Sequence, residues 1–248
     1  MTGYESQMVS CDIRLAEFSL VSHQSSAYIP IMTKRGILIS FEGVDGSGKS
    51  TQARMLYDYL KANRFNVLFI REPGGTPVSE SVRAILLDNS HKQMSARAEL
   101  LLFLAARAEL VDKVIEPALK QGKIIITDRF SDSTIAYQID GRKLPAKVVK
   151  DTNEFAAAKI KPNLTFIVDL EIAKAHVRLK ANKDRMESAA SDFHKRVRNG
   201  FLKIAKAEPR RVKVVDGRKT PDEIFTEILA VSQAFLNRRK IGPQKRTK

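Results

Sequence analysis

The chain has 248 residues, of which 43% are hydrophobic and 29% are charged, a balance typical of a soluble globular protein with one sizeable core. No stretch approaches the ~20 apolar residues that a membrane-spanning helix needs, so we expect no membrane partner. The single cysteine, Cys11, excludes an internal disulfide framework and a thiolate zinc site, and it is typical of a reducing, cytoplasmic compartment.

The formal net charge of +15 raises the question of nucleic acid binding. Part of this excess is local, because residues 238–248 contain six basic side chains and no acidic one. We expect this segment to be a disordered basic tail. Arginines that bind phosphorylated small molecules would raise the charge equally well. The sequence offers no aromatic stacking platform for single strands, so no nucleic acid partner is expected.

Residues 1–32 are rich in serine, weakly charged and without clear periodicity. They lack the basic start and compact apolar segment of a secretory signal. We expect a disordered extension, or a segment upstream of a true start at Met32.

Residues 33–237 alternate between short apolar runs and amphipathic segments. The predicted strands are residues 37–41, 67–70, 123–127, 163–170 and 211–215. The predicted helices are residues 51–62, 78–87, 95–121, 171–180, 191–207 and 221–236, with a mixed helical region that ends near residue 160. This order predicts an α/β fold in which a five-stranded parallel sheet carries helices on both faces. Ligands of such sheets bind at the carboxyl ends of the strands.

A phosphate-binding loop lies between the first predicted strand and the first predicted helix. It matches the pattern G-x-x-x-x-G-K-[ST] and consists of Gly43, Val44, Asp45, Gly46, Ser47, Gly48, Lys49 and Ser50. Its N–H groups and the helix N-terminus would bind ATP phosphates. Lys49 is expected to reach the β- and γ-phosphates, and the Ser50 hydroxyl to hold Mg²⁺. The alternative, a chance Gly/Ser turn, fits the strand–loop–helix context poorly.

Four segments together resemble the thymidylate kinase family, in its bacterial form. They are Phe41–Gln52, Arg71–Thr76, Asp128–Phe130 and Asp184–Glu187, in the family's order and spacing. The resemblance covers about residues 35–236. It implies the nucleoside monophosphate kinase type of P-loop NTPase fold with a short lid. It also implies transfer of the γ-phosphoryl group of ATP to dTMP with Mg²⁺, and a homodimer formed through helices.

The resemblance also implies roles at the phosphates. Asp45 would face the acceptor nucleotide and the metal–phosphate region, and Arg129 would grip the acceptor phosphate. Asp128, at a strand end, would serve the metal or hold Arg129. Arg71 is a further candidate for phosphate binding. Arg83 is another, although a solvated charge on a helix face explains it equally well.

Recognition of the base is expected on the long helix and just after the third strand. Phe103 and Arg107 are four residues apart and share a helix face. The resemblance implies that Phe103 stacks on thymine and that Arg107 donates to a base carbonyl. Thr134 would contact the base, and Tyr137 would crowd the position of a ribose 2′-hydroxyl. From the residues alone, Phe103 among leucines is typical of a core position.

The charged stretch at residues 180–190 resembles the family's lid. Lys183 and Arg185 would close over the ATP phosphates, and Arg185 would stabilise the transferring group because the phosphate-binding loop has no arginine. An exposed charged turn is the alternative. Two other functions remain open. One is a kinase for another nucleotide or nucleoside on the same fold, and the other is a nucleic-acid-binding protein that uses ATP as a switch.

Overall fold

The computed structural model describes residues 35–179 and 184–244. Three of the regions discussed above lie outside the described residues: the expected extension at 1–32, Lys183 in the expected lid, and the last four residues of the expected tail. The description below concerns the compact unit that begins at Thr33.

Five parallel strands form one sheet in the order β2-β3-β1-β4-β5. They are β1 (Ile37–Glu42), β2 (Val67–Arg71), β3 (Ile124–Asp128), β4 (Leu164–Asp169) and β5 (Val212–Asp216). The predicted five-stranded parallel sheet is confirmed. Asp128 lies opposite Phe41 on one side and Arg71 on the other. The loops that follow these three strands therefore start side by side at one edge of the sheet.

Nine α-helices occur within the described ranges 35–179 and 184–244. They are α1 (Lys49–Ala62), α2 (Pro77–Leu87), α3 (Ala96–Leu110), α4 (Glu116–Lys120), α5 (Ser131–Thr134), α6 (Ala146–Ala156), α7 (Ile172–Arg178), α8 (Ser191–Ala207) and α9 (Pro221–Arg239). None of the helices in these ranges combines the length and apolar character needed to cross a bilayer.

Two differences from the sequence predictions concern helix boundaries. The long helix expected at 95–121 is divided into α3 and α4 by a π-helical turn at Val111–Ile115, and a second π-helical segment at Ile135–Gly141 follows α5. Helix α9 continues to Arg239, so the first two residues assigned to the basic tail form its last turn.

Side chains of the central strand alternate between the two faces of the sheet. Ile39 and Phe41 of β1 pack in a core cluster with Leu56 of α1. Leu38, which precedes Ile39 and so faces the other side of the sheet, packs in a second cluster with Leu110 of α3. Helices therefore cover both faces of the sheet and leave its carboxyl edge open for a site.

Candidate active site

The turn between β1 and α1 leaves main-chain N–H groups unpaired at the start of the helix. Gly48 precedes α1 with φ of 98°, a conformation that glycine adopts without strain, and no side chain caps this helix. Thr76, Ser95 and Thr220, by contrast, each cap a helix with a side-chain oxygen. Within the described ranges, no acceptor receives the N–H of Gly46 or Gly48. These donors and the helix dipole favour a bound anion.

Asp45 lies between two cations in this loop. Its Oδ1 accepts from Lys49 Nζ at 2.9 Å and also from Arg129 Nη2, and its Oδ2 accepts from the Tyr137 hydroxyl at 3.3 Å. Burial opposes the charged form of Asp45, but the positive charges of Arg129 and Lys49 outweigh burial and hold its pKa below the usual range. The structure thus brings these four predicted site residues together.

Arg129 follows β3 directly, and its backbone has a φ of 73°. Its Nη1 donates to the Gly43 carbonyl at 3.2 Å and to Ser133 Oγ at 3.0 Å, and its Nη2 donates to the Tyr137 hydroxyl at 3.2 Å. Burial lowers the pKa of Arg129, but the adjacent Asp45 more than compensates, so the pKa is raised. The guanidinium is thereby fixed against the phosphate-binding loop.

Glu42, which the sequence analysis did not single out, supports the Arg129 loop. Its Oε1 accepts from the Phe130 N–H at 2.7 Å and from Ser40 Oγ at 2.7 Å, and its Oε2 accepts from Ser133 Oγ at 2.6 Å. Burial, together with the nearby charge of Asp132, raises the pKa of Glu42 to about 7. Glu42 could have been identified from the sequence as a carboxylate at the end of a strand that is buried throughout.

A cavity opens beside this cluster, between α2, α3 and the segment that follows Arg129. Six of its lining residues were expected from the sequence: Asp45, Phe103, Arg107, Arg129, Thr134 and Tyr137. Arg83, the further phosphate candidate, also lines the cavity, and the rest of the lining is Glu72, Pro73, Leu87, Ser133, Gln138, Asp184 and Met186. Gln138 was missed although it is four residues after Thr134, a spacing that places both on one helix face.

Arg107 is buried at the base of the cavity, with only 3% of the residue exposed. Its Nε and Nη2 donate to Glu72 Oε2 at 2.8 and 2.6 Å. Its Nη1 donates to Thr134 Oγ1 at 2.6 Å and to Asn153 Oδ1 at 2.5 Å. One N–H remains on Nη2 for another acceptor. Thr134 therefore also orients Arg107, and burial raises the pKa of Glu72 despite the opposing charge of Arg107.

Two aromatic side chains shape the cavity wall. Tyr137 packs edge-on against Phe193 and Phe201, with ring centroids 6.0 and 6.2 Å away. Burial raises the pKa of Tyr137, so its hydroxyl stays neutral and can both donate and accept. Phe103 is only partly buried and lines the cavity, so it is not simply a core residue.

Arg71 does not line the cavity. Its Nη2 contacts both carboxylate oxygens of Glu80 at 3.0 Å, and 44% of its side chain is exposed. Arg83 lines the cavity instead and donates to the Pro73 carbonyl at 2.8 Å. Burial, and then the charge of Arg71, lower the pKa of Arg83. The sequence favoured Arg71 over Arg83 as a phosphate-binding candidate, whereas in the structure it is Arg83 that lines the cavity.

The structure does not support the expectation that Arg185 closes over ATP phosphates. Its Nε donates to the Leu86 carbonyl at 2.7 Å, its Nη1 donates to Glu99 Oε2 at 2.6 Å, and its Nη2 contacts Met186 Sδ at 3.3 Å. Only 4% of the Arg185 side chain is exposed. This guanidinium is bound to Leu86 on α2, to Glu99 on α3 and to the neighbouring Met186, so a role over the ATP phosphates would require it to leave these partners, and that role stays a prediction.

The residues expected to bind Mg²⁺ occupy suitable places. Ser50 is exposed in the first turn of α1. Asp128 ends β3, and its buried Oδ1 has no hydrogen-bond partner within the described ranges. These ranges hold no cluster of three or more metal-ligating side chains. A hydroxyl and one free carboxylate oxygen suit Mg²⁺, which takes its other ligands from phosphates and water.

Comparisons with known proteins agree with this geometry. Residues 41–228 match the family model described as thymidylate kinase. A thymidylate kinase from Symbiobacterium thermophilum is 46% identical over 83% of this chain and 97% of its own length. One from Kosmotoga olearia is 43% identical over 83% of this chain and 99% of its own length. The crystal structure of thymidylate kinase from Ehrlichia chaffeensis superposes with a TM-score of 0.66 at 38% identity, covering 80% of this chain and 99% of that one.

Proposed function

The chain belongs to the thymidylate kinase family, and we propose that it transfers the γ-phosphoryl group of ATP to the phosphate of dTMP. The P–O bond between the β- and γ-phosphates breaks, a P–O bond to an oxygen of the dTMP phosphate forms, and ADP and dTDP leave. The observation that carries this proposal is one cavity that Asp45, Arg129 and Arg107 line together, with Lys49 bound to Asp45. We call the part beside Asp45 the phosphate end and the part beside Arg107 the base end.

At the phosphate end, Asp45 keeps two cations in place before substrates bind. Incoming phosphate oxygens then compete with Asp45 for Lys49 and Arg129, and the charge of the transferring group is neutralised without large rearrangement. The acceptor phosphate is already an anion, so no general base is required. Ser50 and Asp128 would hold Mg²⁺, which neutralises phosphate charge when it is bound.

At the base end, the partly exposed ring of Phe103 supplies a stacking face. The remaining N–H of Arg107 would donate to a thymine carbonyl, and Glu72, Thr134 and Asn153 hold the guanidinium in position for it. Tyr137, clamped between Phe193 and Asp45, would exclude a ribose 2′-hydroxyl.

We also propose a homodimer formed through α2, α3 and α6. These neighbouring helices carry most of the large exposed apolar side chains in the described ranges: Val78, Ile85, Leu101, Val148 and Phe155. Exposed apolar side chains on helices that contact each other favour an association surface. In sedimentation experiments, Phe155→Glu should yield monomers, whereas Val214→Glu, at an exposed apolar position on β5, should leave a dimer intact. A dimer that persists in Phe155→Glu would contradict this interface.

The reaction and its substrate are tested together by coupled ADP release. The purified enzyme receives Mg-ATP and each deoxynucleoside monophosphate in turn. Turnover with dTMP well above that with dAMP, dGMP and dCMP supports the proposal. Turnover only with another monophosphate would retain the phosphate end of the site and overturn the thymine end.

The single cysteine further supports action in a reducing, cytoplasmic compartment, which cell fractionation would test.

A further inference from the structure

Glu99, in the first turn of α3, is the centre of a buried polar cluster. Its carboxylate is 1% exposed. Oε2 accepts from Arg185 Nη1 at 2.6 Å and from Arg142 Nη2 at 2.8 Å. Oε1 accepts from Arg142 Nε at 2.9 Å and from Gln138 Nε2 at 3.2 Å. Glu99 is flanked by two guanidinium groups and acts as an acceptor toward all three neighbours.

Gln138 connects this cluster to the cavity described above, because its side chain is part of the cavity wall. A glutamine amide has a donor end and an acceptor end of nearly equal shape, so its partner decides its orientation. Because the Glu99 carboxylate accepts, it binds the amide nitrogen. The side-chain oxygen of Gln138 then has no donor within the described ranges, and it is not among the fully buried unpaired atoms. Gln138 therefore offers a hydrogen-bond acceptor to the cavity.

The cavity thus combines a donor and an acceptor in fixed positions. Arg107 retains one N–H, and Gln138 presents an oxygen. The pairing edge of thymine has carbonyl oxygens on either side of an N3–H donor. Cytosine has an acceptor at N3 and an amino donor at position 4. One donor next to one acceptor matches thymine and leaves mismatched groups against cytosine, which desolvated sites penalise strongly.

We infer that Glu99 is a specificity-determining positioning residue, which fixes Gln138 with its oxygen toward the base and so favours bases that carry an N3–H. The inference rests on the proposed function. Glu99 itself touches no substrate and acts only through Gln138. Because uracil also has an N3–H, this arrangement selects against dCMP and is neutral between dTMP and dUMP.

The test is to measure kcat/KM for dTMP, dUMP and dCMP in the wild type and in Glu99→Gln. A glutamine at position 99 can donate or accept, so the Gln138 amide is free to reverse. We expect the dCMP to dTMP ratio to rise about tenfold, and the dUMP to dTMP ratio to stay within about twofold. A purely structural role would reduce all three activities together and leave both ratios unchanged, which would overturn the inference.

Two further variants keep the test decisive. Arg142→Met loosens the same cluster but preserves the contact of Glu99 with Gln138, so its ratios should match the wild type. An equal rise in the dCMP ratio there would also overturn the inference. If Glu99→Gln alone does not fold, the double variant Glu99→Gln/Arg185→Gln removes the buried charge pair together and is measured instead. Wild-type enzyme that fails to use dTMP would refute the proposed function itself.

Discussion

Two carboxylates in this protein each lie between two cations. They differ in whether those cations can bind a ligand in place of the carboxylate. Asp45 is 21% exposed in its side chain, and it pairs with Lys49 and Arg129 at the open carboxyl edge of the sheet. Glu99 is 1% exposed, and it pairs with Arg142 and Arg185 beneath the cavity wall. The first arrangement faces the cavity, whereas in the second Glu99 and Arg185 are enclosed by protein and only Arg142 is partly exposed.

The difference shows why an ion pair does not by itself indicate a catalytic role. Phosphate oxygens can replace Asp45 as a partner of Arg129 and of Lys49, because Asp45 and Arg129 line the cavity and Lys49 donates to the same Asp45 carboxylate. No such exchange is open to Arg185, whose guanidinium already serves a carboxylate, a main-chain carbonyl and a thioether. The first cluster should therefore govern turnover, and the second should govern stability and the shape of the cavity.

The strongest test of this contrast is Lys49→Met. Loss of a cation from the transferring phosphate should reduce kcat by about a thousandfold or more, since transition-state charge is left uncompensated. Coupled ADP release measures the effect. Lys61→Met, an exposed lysine at the end of the same helix, is the control and should retain normal turnover. Comparable activity in both variants would contradict a role of Lys49 in phosphoryl transfer.

Arg129→Met separates acceptor binding from donor binding. We expect KM for dTMP to rise roughly a hundredfold, because a charge-assisted contact to the acceptor phosphate disappears, while KM for ATP changes much less. Arg196→Met is the matched control, since Arg196 donates to the Gly141 carbonyl and is not among the residues that line the cavity. Equal increases in both KM values would contradict an acceptor-specific role.

Arg185→Met tests the enclosed cluster and distinguishes the structure from the sequence-based expectation. Removing one partner of a buried pair should reduce the free energy of unfolding by about 3 kcal/mol, which corresponds to a Tm lower by roughly 10 °C. Below that temperature, kcat should fall less than about tenfold. Lys203→Met, which breaks an exposed pair with Asp140, should cost about 1 kcal/mol or less. A large loss of kcat with unchanged Tm would instead support the expectation that Arg185 closes over the ATP phosphates.

These two clusters also show what could be predicted from the sequence. The phosphate-binding loop was found from its pattern between a buried strand and a helix, and Arg129 was found because Asp128–Phe130 resembles a segment of the family. The pair of Glu99 and Arg185 spans 86 positions, and nothing local distinguishes either residue from a solvated helix or turn charge. Only the packing of α3 against the expected lid segment makes them partners.

The fold was predictable for a similar reason. Short apolar runs identify buried parallel strands, and each boundary of these five was placed to within one residue. The π-helical turns were not predicted, because the helices were recognised from apolar spacing and composition, and over segments of 5 and 7 residues neither feature distinguishes a π-helical turn from an α-helical one. Gln138 lies within such a segment, next to the predicted Tyr137.

The smallest expected effect concerns Glu42, which unlike Asp45 has a raised pKa of about 7. A group whose pKa is raised on folding stabilises the protein fully below its unfolded pKa, near 4.5, and this contribution is lost as pH rises through about 7. Glu42→Gln imitates the protonated side chain and can still accept from the Phe130 N–H. The Tm of the wild type minus that of Glu42→Gln should therefore fall between pH 5 and pH 8, by roughly 5 °C. Glu154→Gln, at an exposed position on α6, should show no such trend. A difference that is constant with pH would mean that Glu42 stays ionised throughout, as Asp45 does between its two cations.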